Sequence, residues 1–232
     1  MRKKAVFFDA GGTLIHVDYE RVGQAVWPTG RRALRSEWIA AEYAGRAAIE
    51  EAMMQGDAPT DNSRWGVFFR AMLAEMGIDP QGFELVSPRI LEEHRRSHLW
   101  CVSGPEIGQA LSDLRRAGYF VAVISNADGT VERLLDQAGL TRHLSFVIDS
   151  GLVDVEKPDP RIFQMALDRA GVRADESYYV GDLYPVDVVG ARAAGLEPVL
   201  LDPLGRYAGR DCRTTPDVAT FAAELVSAVA AA

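Results

Sequence analysis

Six polar residues of this chain, each close behind a short apolar run, could together act on a charged small molecule. Asp9 ends the run "AVFF" and opens "DAGGT" (9–13). Ser125 and Asn126 follow "YFVAVI" (119–124), and Lys157 comes after "SFVI" (145–148), inside "EKPDPRIF". Asp182 follows "SYYV" (177–180), with Asp187 five residues further on. An ionised carboxylate serves either as a nucleophile or as a ligand to a hard divalent ion such as Mg²⁺. A serine hydroxyl, a lysine ammonium and the backbone N–H groups around Ala10 and Gly11 suit phosphoryl oxygens, most strongly as charge develops on them. Singly, each has a plainer explanation. An aspartate before a glycine pair is an ordinary turn, "SNADG" is ordinary loop chemistry, and a lysine ahead of Pro-Asp-Pro is ordinarily solvated. What argues for a site is that four separate runs deliver them.

The runs themselves predict how. "KAVFF" (4–8), "YFVAVI", "SFVI", "SYYV" and "PVLL" (198–201) are nearly continuous in apolar residues rather than alternating, as strands buried on both faces are. From residue 104 onward, helical segments separate them, several closed by a glycine (Gly118, Gly139, Gly171, Gly195). Strand, helix, strand, helix predicts an α/β fold, a Rossmann-like parallel sheet flanked by helices. In such sheets ligands bind beyond the carboxyl ends of the strands, which is where all six polar residues fall. Residues 17–98 break the rhythm with long helical stretches at 31–55 and 62–77, separated by the loop "GDAPTD" (56–61). They predict an all-helical domain inserted behind the first strand, with Trp27, Trp38 and Trp65 as packing residues and Trp100 at its exit. The expected division is a core of residues 1–16 and 99–232 and an inserted domain of 17–98.

Composition narrows the partners. The chain has 232 residues, 48% of them apolar, with a net charge of −8. Mean hydropathy is −0.05. Acids and bases are interspersed, which argues against nucleic acid or an anionic membrane as partner and leaves a small-molecule substrate. Cys101 and Cys212 lie far apart, and neither belongs to a CxxC pair, so a reducing, cytoplasmic setting is expected. The basic start "MRKK" is followed by too short an apolar run for a signal peptide. Oligomeric state is not legible.

In order and spacing, these motifs resemble the haloacid dehalogenase-like (HAD) superfamily over the whole chain. "DAGGT" is similar to its first motif, Ser125 to its second, Lys157 to its third, and "GDLYPVD" (181–187) to its acidic fourth. The helical insertion resembles the C1 cap of subfamily I. The resemblance implies a Rossmann-like core with Asp9 as covalent nucleophile. It implies Mg²⁺ held by Asp9, the Gly11 carbonyl and Asp182, with Asp187 in support. Ser125 and Lys157 would act on the phosphoryl group, Lys157 also steadying Asp9, and Ala10, Gly11, Thr13 and Asn126 would line the substrate site.

One position departs from the pattern. Phosphatases of the family usually carry an aspartate two residues after the nucleophile, as general acid and base. Here that residue is Gly11, and losing such a group costs about 10²–10⁴ in rate. Three functions remain open. The first is a Mg²⁺-dependent phosphatase on a small phosphorylated metabolite, biased toward good leaving groups, with His16 or Asp18 as nearby proton sources. The second is a metal-free 2-haloacid dehalogenase with Asp9 as nucleophile, against which the acidic pair Asp182 and Asp187 weighs. The third is a binding protein on the same fold. On the first reading, Gly11→Asp raises the phosphatase rate. Weaker signals are His94 and His98, four apart on one helix face beside Glu93, and the inserted arginines Arg35 and Arg46; all are read as surface.

Overall fold

The computed structural model describes residues 3–27, 32–57 and 61–231, so Arg31 and part of the loop expected at 56–61 lie outside the described residues. The chain divides into two compact units, Met1–His16 with Trp100–Ala232, and Val17–Leu99.

The first unit is built on a six-stranded parallel sheet. Its strands are β1 (Ala5–Phe8), β4 (Phe120–Ser125), β5 (Val147–Asp149), β6 (Ser177–Gly181), β7 (Glu197–Leu201) and β8 (Arg213–Thr215), in the order β5-β4-β1-β6-β7-β8. β1 is central, paired to β4 and β6, and all four of its residues are buried. That explains the lack of alternation in "AVFF": Val6 and Phe8 face one apolar layer, Ala5 and Phe7 the other. The first layer contains α5 (Pro105–Arg116), α6 (Val131–Gln137) and α10 (Val218–Ala230). The second contains α8 (Pro160–Ala170) and α9 (Val189–Ala193). A four-residue helix, α7 (Ser150–Val153), follows β5 directly. The helices that begin "GPE" and "DPR" carry proline in their first turn, and α8 ends on Gly171 in the left-handed region.

The expected sheet is present, with β8 in addition. "RTT" has no apolar run to announce it, because an edge strand needs burial on fewer sides. The chain passes between units at His16/Val17 and Leu99/Trp100. His16–Val17 (β2) and Trp100–Val102 (β3) form a separate two-stranded sheet.

The second unit is helical, with α1 (Tyr19–Val26), α2 (Arg35–Gln55), α3 (Asp61–Glu75) and α4 (Pro80–Arg96). Tyr19 stacks on Trp38, and Trp27 packs at an angle to the same ring. Trp65 packs on Phe69, so these tryptophans are packing residues, as expected. Arg46, expected at the surface, is instead buried and paired with the buried Glu42, which also accepts a hydrogen bond from Tyr19. Both cysteines are free thiols. Among the described residues, no helix is long and apolar enough to cross a membrane.

Candidate active site

At the carboxyl end of β1 the backbone N–H of Asp9 donates to the Val180 carbonyl (2.8 Å), carrying the sheet's pairing one residue past the strand. The Asp9 carboxylate is therefore delivered by the most buried strand and is itself only 6% exposed. Lys157, from the loop between α7 and α8, meets it there. The ammonium has three protons, and they go to Asp9 Oδ1 (2.6 Å), Tyr179 Oη (2.7 Å) and Asp187 Oδ1 (2.8 Å). With every direction committed, Lys157 acts first on Asp9, and contact with a phosphoryl oxygen requires giving up one of these bonds.

Two further residues fix Lys157. The amide of Asn126 donates from Nδ2 to the Lys157 carbonyl (2.9 Å) and accepts at Oδ1 from the Lys157 N–H (2.7 Å). Asn126, expected to line the substrate site, thus spends both ends of its side chain positioning the lysine. Tyr179, on β6, accepts from the ammonium and lies within bonding distance of the Ile124 carbonyl (3.0 Å) and Asp187 Oδ1 (3.2 Å). Tyr179 carries no signal in the sequence, because inside "SYYV" it reads as one more apolar strand residue.

The acidic fourth motif forms by a tight return. Gly181 ends β6, and a single π-helical turn, Tyr184–Val188, brings Asp187 back over it. Asp187 Oδ2 accepts from the N–H groups of Asp182 (3.1 Å) and Leu183 (2.9 Å). Asp9, Asp182 and Asp187 each offer one oxygen within 4.8 Å of the others. With all three ionised, these carboxylates outnumber the Lys157 ammonium by two negative charges. A hard divalent cation fits that donor set and offsets that charge.

The "AGGT" turn uses the N–H groups of Gly12, Thr13, Leu14 and Ile15, bonded to the carbonyls of Ile15 and Ala10, and leaves that of Gly11 out. Gly12 has a positive φ of 81°, and a Cβ there would stand 2.3 Å from Asp182 Oδ2. Only glycine lets the turn pass so close to that carboxylate. At Gly11 a Cβ would stand 3.3 Å from Cδ1 of the Trp100 indole. Thr13 is buried, and its hydroxyl has no hydrogen-bond partner among the described residues. Ser125 ends β4 and is 3% exposed.

Burial is the largest influence on the Asp9 carboxyl and pushes it up to about 6; Lys157 opposes this and Asp187 adds to it. Burial pulls Lys157 down, but the Asp187 and Asp9 carboxylates more than offset this, and the ammonium is held above its usual value. Burial, then Asp187, raises the Tyr179 hydroxyl well above the ordinary phenol range, so it stays a neutral donor.

Asp18 caps α1, accepting from the Arg21 N–H (3.0 Å). His16 sits half-buried in β2. Arg35 is exposed at the start of α2. The rings of His94 and His98 lie 4.4 Å apart. Among the described residues, neither histidine joins a group of three metal-ligating side chains.

A buried carboxylate at the end of the central strand, held by a lysine and flanked by two further acids, is the candidate site of this α/β fold. The family model for haloacid dehalogenase-like hydrolases matches residues 3–195, and the chain belongs to that family. It is 39% identical over 135 residues to a phosphoserine phosphatase of Thermus thermophilus, covering 58% of this chain and 53% of that protein. It is 37% identical over 124 residues to the mouse haloacid dehalogenase-like hydrolase domain-containing protein 3, covering 53% and 49%. The chain thus spans about half the length of these two relatives. A glyceraldehyde 3-phosphate phosphatase of Methanopyrus kandleri is 28% identical over 237 residues, covering 94% of this chain and 91% of its own length. Among solved structures, the magnesium-bound HAD-hydrolase YfnB of Bacillus subtilis superposes with a TM-score of 0.68 at 17% identity, covering 97% of this chain and 99% of that one. At that identity the likeness is one of fold.

Proposed function

We propose that the protein is a Mg²⁺-dependent phosphatase acting on a small phosphorylated metabolite through an aspartyl-phosphate on Asp9. The observation that carries this is the buried Asp9–Lys157 pair at 2.6 Å with Asp182 and Asp187 beside it. Relatives named as phosphatases support phosphate over halide as the group displaced. Asp9, Asp182 and the Gly11 carbonyl would hold the ion, with Asp187 in support. Bound there, Mg²⁺ supplies positive charge to a phosphoryl group that the three carboxylates would otherwise repel.

The chain's own groups do the rest. Lys157 keeps Asp9 ionised and fixes the attacking oxygen's direction. Tyr179 and Asn126 hold Lys157 in turn, from its ammonium and from its backbone. Ser125 and the N–H group of Gly11, which the turn leaves out of its own hydrogen bonds, stabilise the oxygens of the phosphoryl group as it transfers. The Val17–Leu99 unit is the helical cap of subfamily I and sets substrate choice. Gly11 provides no proton, so the leaving oxygen departs without help from that position.

The test is hydrolysis of an activated aryl phosphate. Turnover is expected with Mg²⁺, lost with chelator and lost on Asp9→Asn. Halide release from 2-chloropropionate that survives chelator would replace this reading with the dehalogenase one.

A further inference from the structure

The Trp100 indole crowds the direction in which a side chain at position 11 would start. A Cβ built on Gly11 meets the indole at Cδ1 (3.3 Å), Nε1 (3.7 Å) and Cγ (3.9 Å), so one face of the five-membered ring closes off that direction. Trp100 begins β3, whose backbone is paired to β2, and its side chain packs against the core layer that contains Val6, Phe8 and Leu14. Both Gly11 and Trp100 belong to the first unit. A carboxylate at position 11 would need three more heavy atoms beyond that Cβ, which already sits closer to its neighbour than ordinary van der Waals contact.

We propose that Trp100 is a specificity-determining residue. It bars an acid/base from position 11 and confines turnover to phosphates whose leaving oxygen departs as a stable anion, such as aryl, enol or acyl phosphates. This rests on the phosphatase reading. In the step concerned, an Asp9 oxygen bonds to phosphorus while the bond from phosphorus to the leaving oxygen breaks. The electron pair leaves on that oxygen, which takes its proton from solvent. Water then attacks the phosphorus of the aspartyl-phosphate, releasing inorganic phosphate and restoring the Asp9 carboxylate. An alkoxide leaving group is too basic for the first step without a proton donor, whereas a phenolate, enolate or carboxylate is not. A flat apolar wall beside the turn also suits a planar leaving group better than a hydrated sugar.

The experiment compares the native protein, Gly11→Asp, Trp100→Leu and the double variant on aryl phosphates of graded leaving-group acidity and one alkyl phosphate, all with Mg²⁺. The native enzyme is expected to slow steeply as the leaving group becomes more basic. Gly11→Asp alone gives no gain on the alkyl phosphate, whereas the double variant gains about 10–10²-fold, a fraction of what a general acid supplies. A gain of that size from Gly11→Asp alone, which keeps the ring, overturns the role of Trp100 whether or not the truncated variants fold. A native rate indifferent to leaving-group acidity overturns it too. No hydrolysis of any phosphate by the native protein would sink the phosphatase reading itself, a different result from either.

Discussion

Asp9 is an acid held where ionisation is costly. Its folded value of about 6 lies above the ordinary 3.8, with burial the main cause. A carboxyl raised in this way favours the folded state fully below 3.8, and that contribution is lost as pH rises through about 6. The metal-free protein is therefore expected to lose stability relative to Asp9→Asn across this window, measured by denaturant midpoints at matched pH. The opposite slope would mean that Lys157 more than compensates the burial. The sequence made Asp9 visible because an acid at the end of a fully apolar run has few structural reasons to be there. It could not show that Asn126 serves the Lys157 backbone, since an amide facing a ligand and an amide facing a loop are spelled alike. Nor could it show that Gly12 is required by the Asp182 carboxylate 2.3 Å from its missing Cβ, while Gly11 is crowded by an indole. The simple expectation that Gly11→Asp raises the rate thus acquires a condition at Trp100, nearly ninety residues away along the chain.

At the scale of elements, the site depends on how strands end. β1 hands over Asp9, β4 hands over Ser125, and β6 ends in a glycine so that Asp187 can fold back across it. A Cβ at Gly181 would stand 2.3 Å from Cγ of Asp187. Gly181→Ala is expected to displace that carboxylate, and with it the Lys157 ammonium, lowering kcat by about 10²-fold, as an ångström-scale misplacement does. Far-UV circular dichroism should stay native. An unchanged kcat would show that Asp187 has no part in holding Lys157. The buried strands were legible because burial on both faces leaves a continuous apolar run. β8 was not, since "RTT" packs at the sheet edge, and β2 and β3 are too short to leave a pattern.

The whole molecule joins an α/β unit that carries the candidate site to a helical unit made from a single insertion. The fold class followed from the alternation of strands and helices, and the insertion from the break in that alternation. The identity of the substrate did not follow, because the helical residues that would contact it look like any other packed or solvated helix face. The central claim is that Asp9 becomes phosphorylated during turnover. It is tested by quenching the protein during steady turnover of an aryl phosphate with Mg²⁺, reducing with borohydride and mapping the chain by mass spectrometry. The account predicts homoserine at position 9, formed only when phosphate ester and Mg²⁺ are both present. Full turnover with Asp9 unmodified, or retained by Asp9→Asn, would contradict it.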